Sequence, residues 1–257
     1  MAVVKLVLAY DGTGFRGFAR QPRIRTVQGV LEDALGTVLG VVPKLSVAGR
    51  TDAGVHALGQ VVSFEAEEEP ARIQRSLNRM LAPEVVVPEA RRAPGGFDAR
   101  HSATSREYLY RIRTGPWPDP FWSRFEWHHP RELALGRMRA AARQLLGEHD
   151  FASFCRRPPE GSTRRRLRRL SVTKNGEIVE LRAEADAFLH QMVRSLVGTL
   201  TAVGEGRMKP SEMPQILKAR SRETAGPVAP PDGLTLVRVR YGSHPQGRRR
   251  SGVSGDR

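Results

Sequence analysis

The apolar positions change period several times along the chain. Val3 to Tyr10 reads as a strand, closed by Asp11-Gly12. A loop rich in Gly, Arg and Pro then runs to Arg25. Thr26 stands where a helix N-cap belongs, ahead of Val27, Val30, Leu31, Ala34, Leu35, Val38 and Leu39, whose spacing predicts an apolar helical stripe. Val47-Ala48 reads as strand, Gly49 to His56 as turn, and Val61, Val62 and Phe64 as strand again. Arg72 to Leu81 is a second helix, followed by the apolar Val85-Val86-Val87.

The second half loosely echoes the first. Glu107 to Arg113 alternates, with Tyr108, Tyr110 and Ile112 on one face and Leu109, Arg111 and Arg113 on the other. A Pro- and Trp-rich connection leads to a helix with the stripe Leu135, Met138, Ala142, Leu145 and Leu146, stopped at Gly147. Leu170 to Glu184 reads as two strands around the hairpin signal Asn175-Gly176. Phe188, Met192, Val193, Leu196, Val197 and Leu200 predict another helix. A last strand sets Val237, Val239 and Tyr241 against Arg238 and Arg240. Two units of strands with covering helices predict an α+β fold with halves at 1–104 and 105–242, and 243–257 reads as a disordered basic tail.

Composition narrows the partners. The 257 residues carry 42 Lys+Arg against 27 Asp+Glu, a formal net charge of +15. Its placement is uneven: residues 156–169 hold seven arginines and one glutamate, and the last twenty hold six arginines and one aspartate. Concentrated positive charge suits phosphate neutralisation, so a nucleic-acid partner is expected. There is no apolar run of about 18 residues for a membrane span, and MAVVKLVLAY reads as a strand rather than a leader, which together predict a cytoplasmic protein. The single cysteine, Cys155, can form neither an internal disulfide nor a multi-cysteine zinc site.

Two segments carry candidate chemistry. Gly12-Thr13-Gly14-Phe15-Arg16-Gly17 spells G-x-G-x-x-G after a strand, but Pro22 and the arginines at 20, 23 and 25 precede the first helix. A pyrophosphate would find no helix N-terminus there, so no nicotinamide cofactor is expected; a basic, Gly-rich loop near a nucleic-acid backbone fits better. Segment 49–57 packs Arg50, Asp52 and His56 into a turn. Asp52 before Ala53-Gly54 can be an ordinary turn residue, or a carboxylate paired with Arg50 and so kept ionised. His56 lacks a second ligand at suitable spacing, so it reads as hydrogen-bonded rather than metal-binding.

Ala48-Gly49-Arg50-Thr51-Asp52-Ala53-Gly54-Val55-His56-Ala57 resembles the signature of the TruA-type tRNA pseudouridine synthases. Tyr10-Asp11-Gly12-Thr13-Gly14-Phe15 and Arg25-Thr26-Val27-Gln28-Gly29 resemble the family's opening loop. Phe97 to Ala103, with Arg106 and Tyr108-Leu109-Tyr110-Arg111, resembles the block carrying its active-site tyrosine. Gly147 to Phe154, Phe188 to Arg194 and Ala229-Pro230 complete the series in order. Leu81-Ala82-Pro83-Glu84-Val85 departs from the family's usual stretch, and 156–169 is richer in arginine.

The resemblance implies two pseudo-symmetric α+β halves, each an antiparallel sheet with covering helices, joined around a central RNA-binding cleft. It implies isomerisation of uridine to pseudouridine at positions 38 to 40 of the tRNA anticodon stem-loop by a homodimer, without cofactor or metal. Asp52 matches the catalytic aspartate, as nucleophile at sugar or base or as a base forming a glycal. Tyr108 matches the tyrosine that stacks and accepts the C5 proton, where strand periodicity alone would allow a core aromatic. Arg194 matches an active-site arginine. Arg16, Arg20, Arg23, Arg25, His56 and Arg165 are the expected RNA contacts. Two other readings compete: a non-catalytic tRNA-binding protein of the same fold, and a metal-dependent nuclease, for which no carboxylate cluster is at hand.

Overall fold

The computed structural model describes residues 2–156 and 160–242. The expected tail therefore lies outside the described residues, as does Arg157 of the internal arginine run. The first half holds β1 (Ala2–Tyr10), α1 (Val27–Leu39), β2 (Ser46–Val47), β3 (His56–Ala66), α2 (Pro70–Leu81) and β4 (Val85–Arg92). The second holds β5 (Ala103–Arg113), β6 (Trp127–His128), α3 (Leu135–Gln144), β7 (Gly147–Asp150), β8 (Arg164–Asn175), β9 (Ile178–Ala185), α4 (Met192–Gly204), α5 (Met213–Ala219) and β10 (Leu234–Tyr241). No helix among them is long and apolar enough to cross a membrane.

All ten strands join one mixed sheet in the order β4-β1-β3-β10-β5-β9-β8-β7. The last strand is the seam. It runs antiparallel to β5 and meets the first residues of β3 in parallel, Thr235 opposite His56 and Leu236 opposite Ala57. β2 occupies the remainder of that β3 edge, and β6 takes the equivalent end of β5. The sheet thus splits on either side of the seam, which leaves room for a cleft.

Helices cover one face. In α1 the Thr26 hydroxyl accepts from the Gly29 amide, a cap contributing about 1 kcal/mol. Its stripe presents Leu31 and Leu35, both fully buried with Leu6 and Leu8 of β1 and Ile73 and Leu77 of α2, at roughly 2 kcal/mol for each buried leucine. In the second half Met138, Ala141 and Leu145 pack with Leu196 and Leu200 of α4 over Leu181 and Val172.

Four local readings change. α3 ends at Gln144, with Leu145 as cap and Leu146 exposed, because Gly147 already opens β7 at φ 104°. Phe188 lies outside α4, which starts only at Met192. The first hairpin strand starts before Leu170: β8 begins at Arg164, within the arginine run, and Leu167, Leu170 and Val172 fall on the buried face with a bulge between Leu167 and Arg169. A bulge in β10 likewise moves burial to Leu236 and Val239 and leaves Val237 half-buried.

Candidate active site

A cleft of about 1590 Å³ opens between the halves, lined by Arg50 and Asp52 from the first and by Arg106, Tyr108, Arg165, His190 and Arg194 from the second. Its floor is the turn from Gly49 to Val55, joining β2 to β3. That turn is held almost wholly through its backbone. Gln60, fully buried on β3, donates to the Gly49 carbonyl at 2.6 Å and to the Tyr10 hydroxyl at 3.4 Å. Tyr10 and Thr51 share a buried hydroxyl hydrogen bond of 2.9 Å. Burial pushes the Tyr10 phenol up to about 12, so it stays protonated in that bond.

The glycine-rich opening loop lies beneath. The Phe18 amide donates to the Thr51 carbonyl, and the Gly54 amide to the Phe15 carbonyl. A Cβ on Gly12 would sit 2.2 Å from the Val55 carbonyl oxygen, and Gly17, at φ 97°, would carry one 3.1 Å from the Thr51 oxygen. These glycines let the loop press against the Asp52 turn. The G-x-G-x-x-G string is thus a cradle for a protein backbone.

Asp52 faces the second half. Arg194, near the start of α4, brings Nη1 to 3.1 Å from Asp52 Oδ2, while its Nε donates to the Ala229 carbonyl at 2.7 Å. The Ala229 amide in turn donates to the Arg194 carbonyl, so the guanidinium is fixed from two sides. His190 places Nε2 3.7 Å from the other oxygen, Oδ1, beyond hydrogen-bond reach. Among the described residues Oδ1 therefore accepts no hydrogen bond. Tyr108, 7% exposed, meets Phe188 edge-on with ring centroids 5.1 Å apart. Burial, with the charges of Tyr10 and Asp52, raises its hydroxyl above the usual phenol range.

Two expected roles are corrected. Arg50 does not pair with Asp52: it is exposed at the cleft and makes no ion pair or side-chain hydrogen bond among the described residues. The partner is Arg194, 142 positions away. His56 is not a surface RNA contact. It is 3% exposed, accepts from the Gly12 amide at Nδ1 and lies against Phe125. Burial lowers its pKa despite Asp11 at 3.2 Å.

The opening-loop arginines divide. Arg20 pairs with Glu32 and Asp33, and Arg25 with Glu84, which lies in the stretch Leu81 to Val85 that departs from the family pattern. Arg16 and Arg23 are exposed, and among the described residues their side chains make no such pairs. Arg165 lines the cleft from β8 with Nη1 on the Ser162 and Arg164 carbonyls. Spacing does not mark His190, Tyr10 or Gln60 as site residues; their one signal is that they lie inside or beside the family-like blocks.

This floor suits nucleophilic work on a flat base: one carboxylate oxygen without a hydrogen bond among the described residues, a guanidinium on the other, and an aromatic wall. Among the described residues no group of three or more His, Cys, Asp or Glu side chains stands together to hold a metal.

A family model described as tRNA pseudouridine synthase matches residues 6–101 and 141–242. The chain belongs to that family. It is 48% identical over 250 residues to the tRNA pseudouridine synthase A of Frankia casuarinae, covering 95% of this chain and 90% of that protein. The protein of the same name from Corynebacterium glutamicum is 44% identical over 93% of this chain and 89% of its own length. That of Sinorhizobium medicae is 41% identical, over 92% and 98% respectively.

Proposed function

We propose that this protein isomerises uridine to pseudouridine at positions 38 to 40 of the tRNA anticodon stem-loop, working in the cytoplasm as a homodimer. The observation that carries the reading is the Arg194–Asp52 pair beside the buried Tyr108 on the cleft floor. In the reaction the bond from N1 to C1′ breaks, the uracil turns, and C5 bonds to C1′. C5 gives up a proton and N1 regains one, so nothing is consumed. Asp52 is the nucleophile through Oδ1, with Oδ2 held by Arg194. Tyr108 stacks on the detached base and keeps it within the cleft. Burial favours its neutral hydroxyl, so the phenol must lose its own proton before its oxygen takes the one from C5.

A stem uridine must first leave its helix, at a cost of a few kcal/mol. Arg50 at the cleft, and Arg16 and Arg23 exposed on the opening loop, have no protein carboxylate to neutralise them among the described residues, and they serve the phosphates around the opened pair. Arg168 and Arg169 are exposed on β8 and fit an RNA duplex by shape, while Arg164 and Arg166 beside them are answered by Glu148.

The test is incubation with unmodified tRNA followed by mapping of pseudouridine. Pseudouridine at 38 to 40 is expected, and none with Asp52→Ala although tRNA still binds. Binding without any isomerisation by the wild type would replace this reading with that of a non-catalytic tRNA-binding protein.

A further inference from the structure

We propose that Arg106 is the positioning residue that sets the three segments of the active site against one another. It sits on β5 two residues before Tyr108 and is 8% exposed. Its guanidinium makes five hydrogen bonds, all to backbone carbonyls. Nε and Nη2 reach Ala48 at 3.1 and 2.7 Å, and Nη2 also reaches Arg100 at 2.9 Å. Nη1 reaches Asp186 at 2.7 Å and Ala103 at 3.3 Å.

Those carbonyls are not scattered. Ala48 opens the turn carrying Asp52 four residues on. Asp186 precedes Phe188, the edge-on neighbour of Tyr108, and His190, which faces Asp52. Arg106 itself shares the strand and face of Tyr108. One rigid fork therefore spans nucleophile turn, tyrosine strand and the loop entering α4.

A buried cation answered only by neutral carbonyls is a costly way to gain stability, since burial lowers its pKa and an apolar side chain would fill the space. What the arginine adds is geometry. Its planar donors aim in several fixed directions, whereas a lysine offers one compact charge with three donors. Its charge also opposes the upward push of burial on the Tyr108 hydroxyl.

The proposal rests on the synthase reading, and the experiment separates the two. Arg106→Lys and Arg106→Gln are compared with wild type for thermal unfolding, tRNA KM and kcat, with single-turnover rates at saturating tRNA. Folded Arg106→Lys is expected to keep the wild-type KM while kcat and the single-turnover rate fall about 100-fold, the scale of a displacement of about 1 Å between reacting groups. Arg106→Gln is expected to lose at least as much. Wild-type kcat in either folded variant overturns the proposal, as does a loss confined to KM. Failure of both variants to fold also overturns it, because the residue then serves the whole fold. A wild-type protein that forms no pseudouridine overturns instead the reading of function.

Discussion

The floor and the rim of the cleft are both rich in arginine, yet they use it in opposite ways. On the floor, Arg194, half-buried, and Arg106, buried, spend their donors on protein: a carboxylate and a carbonyl for one, carbonyls alone for the other. On the rim Arg50, and on the opening loop Arg16 and Arg23, are exposed and lack carboxylate partners among the described residues. Arg20 and Arg25, their neighbours in sequence, belong to neither group, being neutralised in place by Glu32, Asp33 and Glu84. Net charge counts all of these equally. Only the second set is free to meet phosphate, so the count overstates what RNA can feel.

Breaking the floor should abolish chemistry and spare binding. The largest effect is expected for Asp52→Ala, with turnover down by at least about 10⁴-fold, as for loss of a nucleophile, and tRNA affinity largely kept. A rate near wild type would remove Asp52 from the mechanism. Arg194→Gln leaves the carboxylate in place without its clamp, and kcat should fall roughly 10²-fold with little change in KM. Steady-state kinetics on a single tRNA transcript distinguishes this from a binding defect.

The cradle beneath the floor gives the next effect. Gly12→Ala places a methyl against the Val55 carbonyl and must push the Asp52 turn away. Stability should drop by about 1–3 kcal/mol in denaturant unfolding, with activity reduced beyond what the unfolded fraction explains. An active, undisturbed variant would mean that the opening loop does not support the site.

Removing the exposed arginines should do the reverse. Arg16→Ala with Arg23→Ala is expected to raise KM, leave kcat alone and lower the salt slope of binding by about one for each phosphate no longer neutralised. Arg20→Ala, whose charge is already answered by Glu32 and Asp33, should change that slope less. Equal slopes for the two sets would erase the distinction between free and neutralised arginines.

The smallest effect is one of pH on stability. Burial holds the folded His56 below the ordinary value of 6.5. Between that folded value and 6.5 the unfolded chain binds the proton more readily, so stability rises with pH across this window and is lost as pH falls through it. His56→Gln should flatten this slope relative to wild type in unfolding at a series of pH values.

Much of the fold is legible in the sequence because period and capping are local. The Thr26 cap, the Leu31–Leu35 stripe and the alternation of Tyr108, Tyr110 and Ile112 depend on neighbours within a few residues, and each stands where its spacing places it. Two of the failures share one cause. Gly147 reads as a helix stop and Leu146 as part of the stripe, but strand pairing of β7 with β8 claims that segment first. The same pairing draws the arginines from 164 onward into a strand that their charge alone would not suggest.

The sequence by itself determined most of the elements and the basic character, and its family-like blocks, which keep their order along the chain, singled out Asp52 and Tyr108 as candidate site residues. What touches Asp52 was decided only by tertiary structure. Arg50, two residues away, is turned outward, while Arg194 arrives from α4 across 142 positions because the Ala229 loop fixes its guanidinium there. Whether the opening glycines face a nucleotide or a backbone was equally undecided until β1 and β3 brought Gly12 against Val55. Spacing along a chain limits which neighbours can meet. Which distant group completes a charge pair depends on how the sheet brings its two halves together.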